Sequence, residues 1–257
     1  EPFRNYLKSG FNVWQTMRIG LIGLANNIII FLSHRLIIHS EKALNLYASS
    51  LIGKLVKVPY LKYPLIFKDH VSQVQPLSKR KYISYIGTIA ADHNFIDFLN
   101  YAEWLVRNNI LGALKIAIVT SSVIDEQLEK RIRPLIKSER LILLSGKPLS
   151  NSEIISFYKT SLVIWVVYKR CTQSGVIPSA YMSGTPILAS ELTASEYFED
   201  YSTGRLIRDS TDCDTITRSI GDIVSEFDKY SQKSRSMYLK EFDILANGSH
   251  LVEYLKS

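Results

Sequence analysis

From Lys81 onwards, short apolar runs alternate with segments whose apolar residues recur at helical spacing. Strands that alternate with amphipathic helices pair in parallel, and a continuously apolar strand needs helices on both faces of its sheet. The pattern therefore predicts a doubly wound α/β domain. Its strands are predicted at Tyr82–Ile86, Lys115–Val119, Leu141–Leu144, Leu162–Val167, Pro186–Ala189 and Arg205–Ile207.

The residues before Lys81 follow a different pattern. Helical spacing over residues 11–32 predicts a long, largely buried helix, and short strands are predicted at 35–39 and 55–58. Residues 60–77 contain two prolines and little periodicity, which predicts a linker. Two strands are too few for an independent sheet. This first part is therefore expected to depend on further chain or on docking to the second domain.

The composition limits the possible classes of function. The chain is 46% hydrophobic and 21% charged, which is ordinary for a globular protein and excludes disorder, collagen and coiled coil. It holds 31 Lys and Arg against 24 Asp and Glu, a net charge of +7 that attracts anions. The basic residues are scattered along the chain rather than gathered in one arm. A phosphate-bearing or lipid partner is thus favoured over nucleic acid.

The cysteines and the most apolar segment bear on the cellular location. Cys171 and Cys213 are the two cysteines of the sequence, so no disulfide framework or zinc motif is predicted, and a reducing compartment is expected. Residues 19–38 are interrupted by Asn26-Asn27 and His34-Arg35, too polar an interruption for a span of about 20 apolar residues. They also lack the cleavage signature of a signal peptide. The sequence therefore predicts a cytoplasmic protein.

Three strand-to-helix loops are the candidates for a site, because ligands of open parallel sheets bind beyond the carboxyl ends of the strands. They are Gly87–Asn94, Tyr168–Val176 and Ser190–Glu196. In the second loop, Ser174-Gly175 begins a helix, where free N–H groups and the helix dipole favour an anion. Glycine there lets a phosphate approach the backbone. An ordinary helix cap without a ligand has the same residues, so the motif alone leaves both interpretations open.

Residues 172–204 resemble the C-terminal half of GT-B glycosyltransferases of retaining family 4, the "glycosyl transferases group 1" type. Thr172-Gln-Ser-Gly-Val176 is similar to the phosphate-binding loop of one subgroup, and Gly184-Thr-Pro-Ile-Leu-Ala-Ser190 to the Gly-x-Pro strand that follows it. Tyr82–Gly87 looks like the opening strand of the donor domain. Arg35–Pro59 looks like the end of the N-terminal domain.

The resemblance implies a GT-B fold of two Rossmann-like domains, of which the first is N-terminally incomplete in this sequence. Residues 1–76 correspond to the C-terminal portion of the acceptor-side domain and the linker. Residues 77–230 correspond to the nucleotide-sugar-binding domain. Residues 231–257 correspond to helices that pack back on the first part.

The same resemblance implies an activity. A retaining, hexosyltransferase-like enzyme would transfer a sugar from a UDP- or GDP-sugar to a saccharide or lipid-linked acceptor, in cell-surface polysaccharide synthesis. No metal or other cofactor is expected, because helix dipoles and basic residues neutralise the leaving diphosphate in this fold. The basic surface and the apolar helix 11–32 suggest peripheral contact with the inner face of the membrane. No nucleic acid partner is expected.

The sequence departs from the family at its pair of glutamates. Aligned through Gly184-Thr-Pro, the two positions are Cys171 and Ser179; shifted by one residue, they are Thr172 and Ala180. No carboxylate appears in either alignment, so no catalytic residue is assigned. A second hypothesis follows, a catalytically inactive GT-B relative that acts as a binding or partner subunit.

The basic residues that bind the diphosphate in the family fall near Thr88 and His93. His93 is either a phosphate ligand or a loop histidine without a role, and Lys169-Arg170 either supplies the missing charge or is solvated. Glu196 is a ribose ligand by resemblance, or a charge favoured by a helix N-terminus. The predicted donor-binding residues are Gly87, Thr88, His93, Thr172, Gln173, Ser174, Gly175, Val176 and Glu196.

Overall fold

The computed structural model divides the chain into two compact units, of which the first ends at Pro64 and the second begins at Leu65. The residues that the structure describes are 13–39, 41–56, 58–64, 66–169, 174–193 and 197–256.

Unit 1 contains a two-stranded parallel sheet and three helices among its described residues. The pairing places Leu36 opposite Tyr60 and Ile38 opposite Lys62. A sheet of two strands is too small to be stable by itself. The assignment of residues 1–76 to part of a Rossmann-like domain stays a prediction. The elements are α1 (Val13–Leu32), β1 (Leu36–Ile38), α2 (Glu41–Ser49), α3 (Leu51–Val56) and β2 (Tyr60–Lys62).

The second strand of unit 1 lies later in the chain than predicted. Residues 55 and 56 end helix α3, so the predicted strand at 55–58 is wrong, and β2 begins inside the predicted linker. The register explains the position: the carbonyl of Pro59 accepts a hydrogen bond from the Leu36 N–H at 2.9 Å, and pairing continues from Tyr60. A proline can accept such a bond although it has no N–H to donate.

Helix α1 is exposed, whereas the sequence predicted a largely buried helix. Trp14 is 79% exposed, Leu21 65% and Leu32 67%. The spacing of apolar residues identifies the helix but does not specify whether another element covers its apolar face. Within the described residues, no helix combines the length and the apolarity needed to cross a membrane.

Unit 2 contains the predicted parallel sheet. Its strands lie in the order β5-β4-β3-β6-β7-β8, and every pair is parallel, which confirms the doubly wound domain. Each residue of β6 is buried, as expected for a central strand covered on both faces. The strands are β3 (Tyr82–Ile86), β4 (Lys115–Val119), β5 (Leu141–Leu144), β6 (Ser161–Val166), β7 (Ile187–Ala189) and β8 (Gly204–Leu206).

Helices cover both faces of this sheet and form two separate cores. One core packs around Phe98 and Trp165, and the other around Ile164 and Tyr181. The helices are α4 (Phe95–Arg107), α5 (Glu126–Lys137), α6 (Asn151–Thr160), α7 (Val176–Met182), α8 (Cys213–Ser225), α9 (Phe227–Met237), a π-helix (Tyr238–Phe242) and α10 (Ile244–Lys256). Helix α6 begins with a capping box: the Ser150 hydroxyl accepts from the Glu153 N–H, and the Glu153 carboxylate accepts from the Ser150 N–H.

The first and last segments of unit 2 are bound to each other. The Phe67 N–H donates to the Phe242 carbonyl at 2.8 Å, and the Ile244 N–H donates to the Phe67 carbonyl at 3.1 Å. Arg235 on α9 forms an ion pair with Asp69. The predicted packing of residues 231–257 against residues 1–60 stays a prediction.

Arg80 joins the amino ends of three strands. Its guanidinium is buried, with 5% of the residue exposed, and burial lowers its pKa to about 10, so it carries its charge at neutral pH. It donates to the carbonyls of Gln75, Tyr158, Ser161, Ser183 and Gly184 and to the hydroxyl of Thr185, at 2.7–3.4 Å.

Replacing Arg80 by methionine should destabilise unit 2 strongly. The substitution leaves several buried acceptors without a donor, and we expect a loss of about 3 kcal/mol in the free energy of unfolding. Urea denaturation measures this loss. The matched control is Lys79→Met at the exposed neighbour, which should stay within about 0.5 kcal/mol of the parent. Equal stability of the two variants would contradict the role given to Arg80.

Candidate functional site

The three predicted loops follow strands that are neighbours in the sheet. β3 pairs with β6, and β6 pairs with β7, all in parallel, so the loops after them meet at one edge. The chain runs from β3 outwards to β5 on one side, and then returns to β6 on the other. This reversal of strand order creates a crevice beyond the carboxyl ends, which is where open α/β sheets bind ligands.

The first loop begins at Gly87, whose backbone has a φ of 138°. Residues with a side chain rarely adopt this conformation. The Gly87 N–H donates to the Val119 carbonyl at 2.9 Å, and a Cβ built on Gly87 would lie 3.7 Å from Cγ2 of Val176. The first loop is therefore in close approach to the start of α7.

The carbonyl of Thr88 fixes the orientation of His93. It accepts hydrogen bonds from the Tyr85 hydroxyl at 2.7 Å and from Nδ1 of His93 at 2.8 Å. A carbonyl only accepts, so Nδ1 carries the proton and Nε2 is the other ring nitrogen available to a ligand. Burial raises the pKa of Tyr85, which keeps its hydroxyl a donor.

The loop after β6 is attached to the first loop. The rings of His93 and Tyr168 are stacked, with centroids 4.6 Å apart and an angle of 18° between their planes. The Lys169 N–H donates to the Asp92 carbonyl at 2.8 Å. These contacts hold the two loops together on either side of the crevice.

The end of the second loop has an ordinary backbone. Gly175 has φ −68° and ψ −13°, and the Ser174 hydroxyl accepts from the Val176 N–H at 3.3 Å. Among the described residues, a Cβ on Gly175 would make an ordinary van der Waals contact with the ring of Phe67, at 3.9 Å. The predicted site residues Thr172 and Gln173 lie outside the described residues, as does Cys171.

The two alternative positions of the family's second glutamate differ in their surroundings. Ser179 is half-buried, and its hydroxyl donates to the Gly175 carbonyl at 2.8 Å. Ala180 is fully buried in the core around Tyr181, where a carboxylate would be without solvent. The choice between the two alignments stays open.

The loop after β7 is organised by Thr193, which is 3% exposed. Its hydroxyl donates to the Val166 carbonyl at the end of β6 and accepts from the Ser190 N–H at 2.9 Å. The Ser190 hydroxyl donates to the Tyr168 carbonyl at 2.6 Å. The third loop is thereby fixed to the second. The predicted ribose ligand Glu196 lies outside the described residues, together with Ala194 and Ser195.

The charges around the crevice are mixed. Nζ of Lys169 lies 4.0 Å from the Asp97 carboxylate, and Asp97 also accepts a hydrogen bond from the Ser210 hydroxyl. Lys169 is 62% exposed and free to turn towards a ligand. In the part of the chain that the structure describes, no three His, Cys, Asp or Glu side chains are grouped to hold a metal ion.

Sequence reasoning placed the site loops but missed the contacts between them. The structure brings Gly87, Thr88 and His93 of the first loop to the same sheet edge as the start of α7. The role of Tyr85, the stacking of Tyr168 and the anchoring by Thr193 were not predicted. An aromatic residue two positions after a buried strand is the sequence signal that points to Tyr168. That these residues bind a nucleotide-sugar stays a prediction.

No protein-family model matches the chain, and no curated protein sequence matches it. Solved structures do. Sucrose-phosphate synthase from Thermosynechococcus elongatus is 14% identical with a TM-score of 0.69, over 91% of this chain and 60% of that one. Anabaena HepE in complex with UDP-glucose is 12% identical with a TM-score of 0.69, over 95% of this chain and 68% of that one.

A third structure matches a smaller part of the chain. It is the C-terminal domain of LpcC, a glycosyl transferase group 1 family protein from Francisella tularensis. It is 15% identical with a TM-score of 0.54, over 64% of this chain and 87% of that one. At such identities the likeness shows the fold, which is the GT-B type. The chain spans about 60% of the length of the synthase and 45% of TarM.

Thr193→Val should loosen the third loop. The substitution keeps the shape of the side chain but leaves the buried Val166 carbonyl and the Ser190 N–H without a partner, at a cost of about 1–3 kcal/mol. Thermal unfolding and hydrogen exchange of the Ser190 amide measure the effect. Thr193→Ser keeps the hydroxyl and should retain the slow exchange; equally fast exchange in both variants would contradict the anchoring role.

Proposed function

We propose that this chain is a glycosyltransferase that uses a nucleotide-diphosphate sugar as its donor. The observation that carries the proposal is the crevice at the strand reversal, where loops after three adjacent strands are bonded to one another. Support comes from solved glycosyltransferases of the same fold, one of them in complex with UDP-glucose.

The proposed donor site uses the backbone and few charges. Gly87 leaves room for the diphosphate beside the start of α7, where the N–H groups of Ser174 and Gly175 are proposed to bind it. His93 and Lys169 supply hydrogen bonds and positive charge from the neighbouring loops. Glu196 is proposed to bind the ribose. Stabilisation of the leaving diphosphate is electrostatic in this arrangement, which is a large contribution to transferase catalysis in general.

Finer features of the reaction belong to the same proposal. The transfer is retaining and hexosyl, the acceptor is a saccharide or a lipid-linked saccharide, and the product enters cell-surface polysaccharide. UDP is favoured over GDP by the UDP-glucose complex of HepE. The proposed setting is the cytoplasm, at the inner face of the membrane, without a metal cofactor.

Calorimetric titration with UDP and GDP tests the donor site, and release of UDP from UDP-glucose tests the chemistry. We expect UDP to bind in the presence of a metal chelator, and slow hydrolysis of the donor when no acceptor is added. Absence of binding by both nucleotides would refute the proposal.

A second candidate is a catalytically inactive relative that acts as a binding or partner subunit. It is favoured by the absence of a carboxylate at Ser179 and at Ala180, the two residues of α7 that align with the second glutamate of the family. The two candidates differ in turnover. Binding of UDP without release of UDP from any UDP- or GDP-sugar would support the binding subunit.

Gly175→Val should weaken nucleotide binding without unfolding the protein. The backbone of Gly175 is ordinary, so a side chain is accepted, but valine would hold a phosphate away from the N–H groups. Loss of one charge-assisted hydrogen bond, about 1.5–3 kcal/mol, lowers affinity about tenfold or more. The control is Gly221→Val on α8, where the added Cβ meets nothing. Calorimetric titration with UDP measures the affinity of each variant. Equal affinity of both variants would mean that the nucleotide does not bind at Gly175.

The proposed membrane contact involves helix α1. Its exposed apolar residues and the net charge of +7 suit a surface of anionic lipid. We expect sedimentation with vesicles of phosphatidylglycerol and phosphatidylcholine, and much less with phosphatidylcholine alone. Ile22→Asp with Ile29→Asp should abolish it, whereas Val123→Asp, at an exposed apolar residue of unit 2, should not. Equal sedimentation of both variants would contradict this contact.

A further inference from the structure

We propose that His93 takes up a proton when a nucleotide diphosphate binds, and donates it through Nε2 to a phosphate oxygen. The inference rests on the proposed function and specifies how this site neutralises its ligand. The proton comes from solvent, and no covalent bond to the nucleotide forms or breaks.

The imidazole of His93 is held in one tautomer. Nδ1 of His93 is bound to the Thr88 carbonyl at 2.8 Å, and that carbonyl also accepts from Tyr85. The Nδ1 proton is therefore committed. Nε2 has no hydrogen-bond partner among the described residues. A proton on Nε2 creates a second donor without disturbing the first.

The position of the His93 ring is fixed by contacts from the neighbouring loop. His93 is half-buried and stacked on Tyr168, whose carbonyl is bound by Ser190. The bond from the Lys169 N–H to the Asp92 carbonyl holds the adjacent backbone. Contacts from two loops therefore hold the His93 ring in place, so the ring loses little conformational entropy when a ligand binds. A hydrogen bond from its Nε2 to a ligand is thus more favourable than one from a mobile surface histidine.

The charged side chains of the three loops do not give the site a positive surplus. In their described residues they carry the basic Lys169 against the acidic Asp92 and Glu191. The ion-pair partners Asp97 of Lys169 and Arg208 of Glu191 add one charge of each sign. With a neutral His93 the balance is therefore one negative charge, to which a diphosphate adds further negative charge. An anion site without surplus positive charge gains strongly from one additional proton, because an anion nearby favours the charged form of an imidazole.

The charged residues next to His93 carry both signs. Asp92 precedes His93 in the chain, Lys169 follows the Tyr168 on which its ring stacks, and Nζ of Lys169 lies 4.0 Å from the Asp97 carboxylate. Tyr85 and Tyr168 contribute a phenol each. The phosphate is the group whose arrival changes the balance.

The test compares UDP binding by the parent protein, His93→Asn and His93→Gln. Asparagine places an amide N–H near the Nδ1 position and removes Nε2, and glutamine places its amide near Nε2 without a titrating group. Calorimetry at pH 7 in two buffers of different ionisation enthalpy, with a chelator present, counts the protons taken up. The terminal phosphate of UDP titrates itself, with a pKa near 6, and its contribution is common to all three proteins.

We expect the parent to take up more protons than either variant. Above neutral pH its Kd for UDP should rise by up to about tenfold per pH unit relative to His93→Gln, as linkage of one proton requires. His93→Asn should bind more weakly than the parent at pH 6.5 and converge with it near pH 8.5.

Three other outcomes would overturn the inference. UDP binding with equal proton uptake in all three proteins removes the role of His93 and leaves the proposed function intact. Binding that appears only when Mg²⁺ is added assigns the neutralising charge to a cation instead of the proton. If neither UDP nor GDP binds, the proposed function is refuted, and this inference is refuted with it.

Discussion

The arrangement of the site depends on a buried guanidinium at the opposite end of the sheet. Arg80 lies two residues before the start of β3, and its acceptors include groups where β6 begins and in the turn that leads into β7. These are the strands whose carboxyl ends carry the three loops. A single side chain thus fixes the positions of these strands along their axes at the amino end of the sheet. The lengths of the strands then determine where their loops meet at the carboxyl end. The hydrogen bonds to six acceptors compensate the cost of burying this charge.

The loops themselves are held by polar contacts between neighbours rather than by packing. Tyr85, Thr88 and His93 form one chain of hydrogen bonds, and Thr193 with Ser190 forms another. The two chains meet at Tyr168, which stacks on His93 and accepts from Ser190. The crevice is therefore preorganised in the described residues of all three loops, and a ligand binding there would order few further groups.

The strands and helices of unit 2 were predictable because burial on both faces leaves a strong pattern in the sequence. The position of the second strand of unit 1 was not predictable, since Leu55-Val-Lys-Val58 has strand-forming residues but the pairing with β1 begins at Pro59. The loops of the candidate site could be predicted from strand order, because parallel strands end at one edge. Their contacts could not: the stack of His93 on Tyr168 joins residues far apart in sequence, and nothing local to either residue specifies the other.

The bond between the two ends of unit 2 has a consequence for the order in which the protein is made. Phe67 and Asp69 leave the ribosome before any strand of the large sheet, while their partners Arg235, Phe242 and Ile244 leave after all of them. The ring of Phe67 also lies beside Gly175 of the candidate site. The wall of the crevice that Phe67 provides is therefore completed last, by contacts of high sequence separation that form slowly. A nascent chain can build the whole sheet and still lack a finished site.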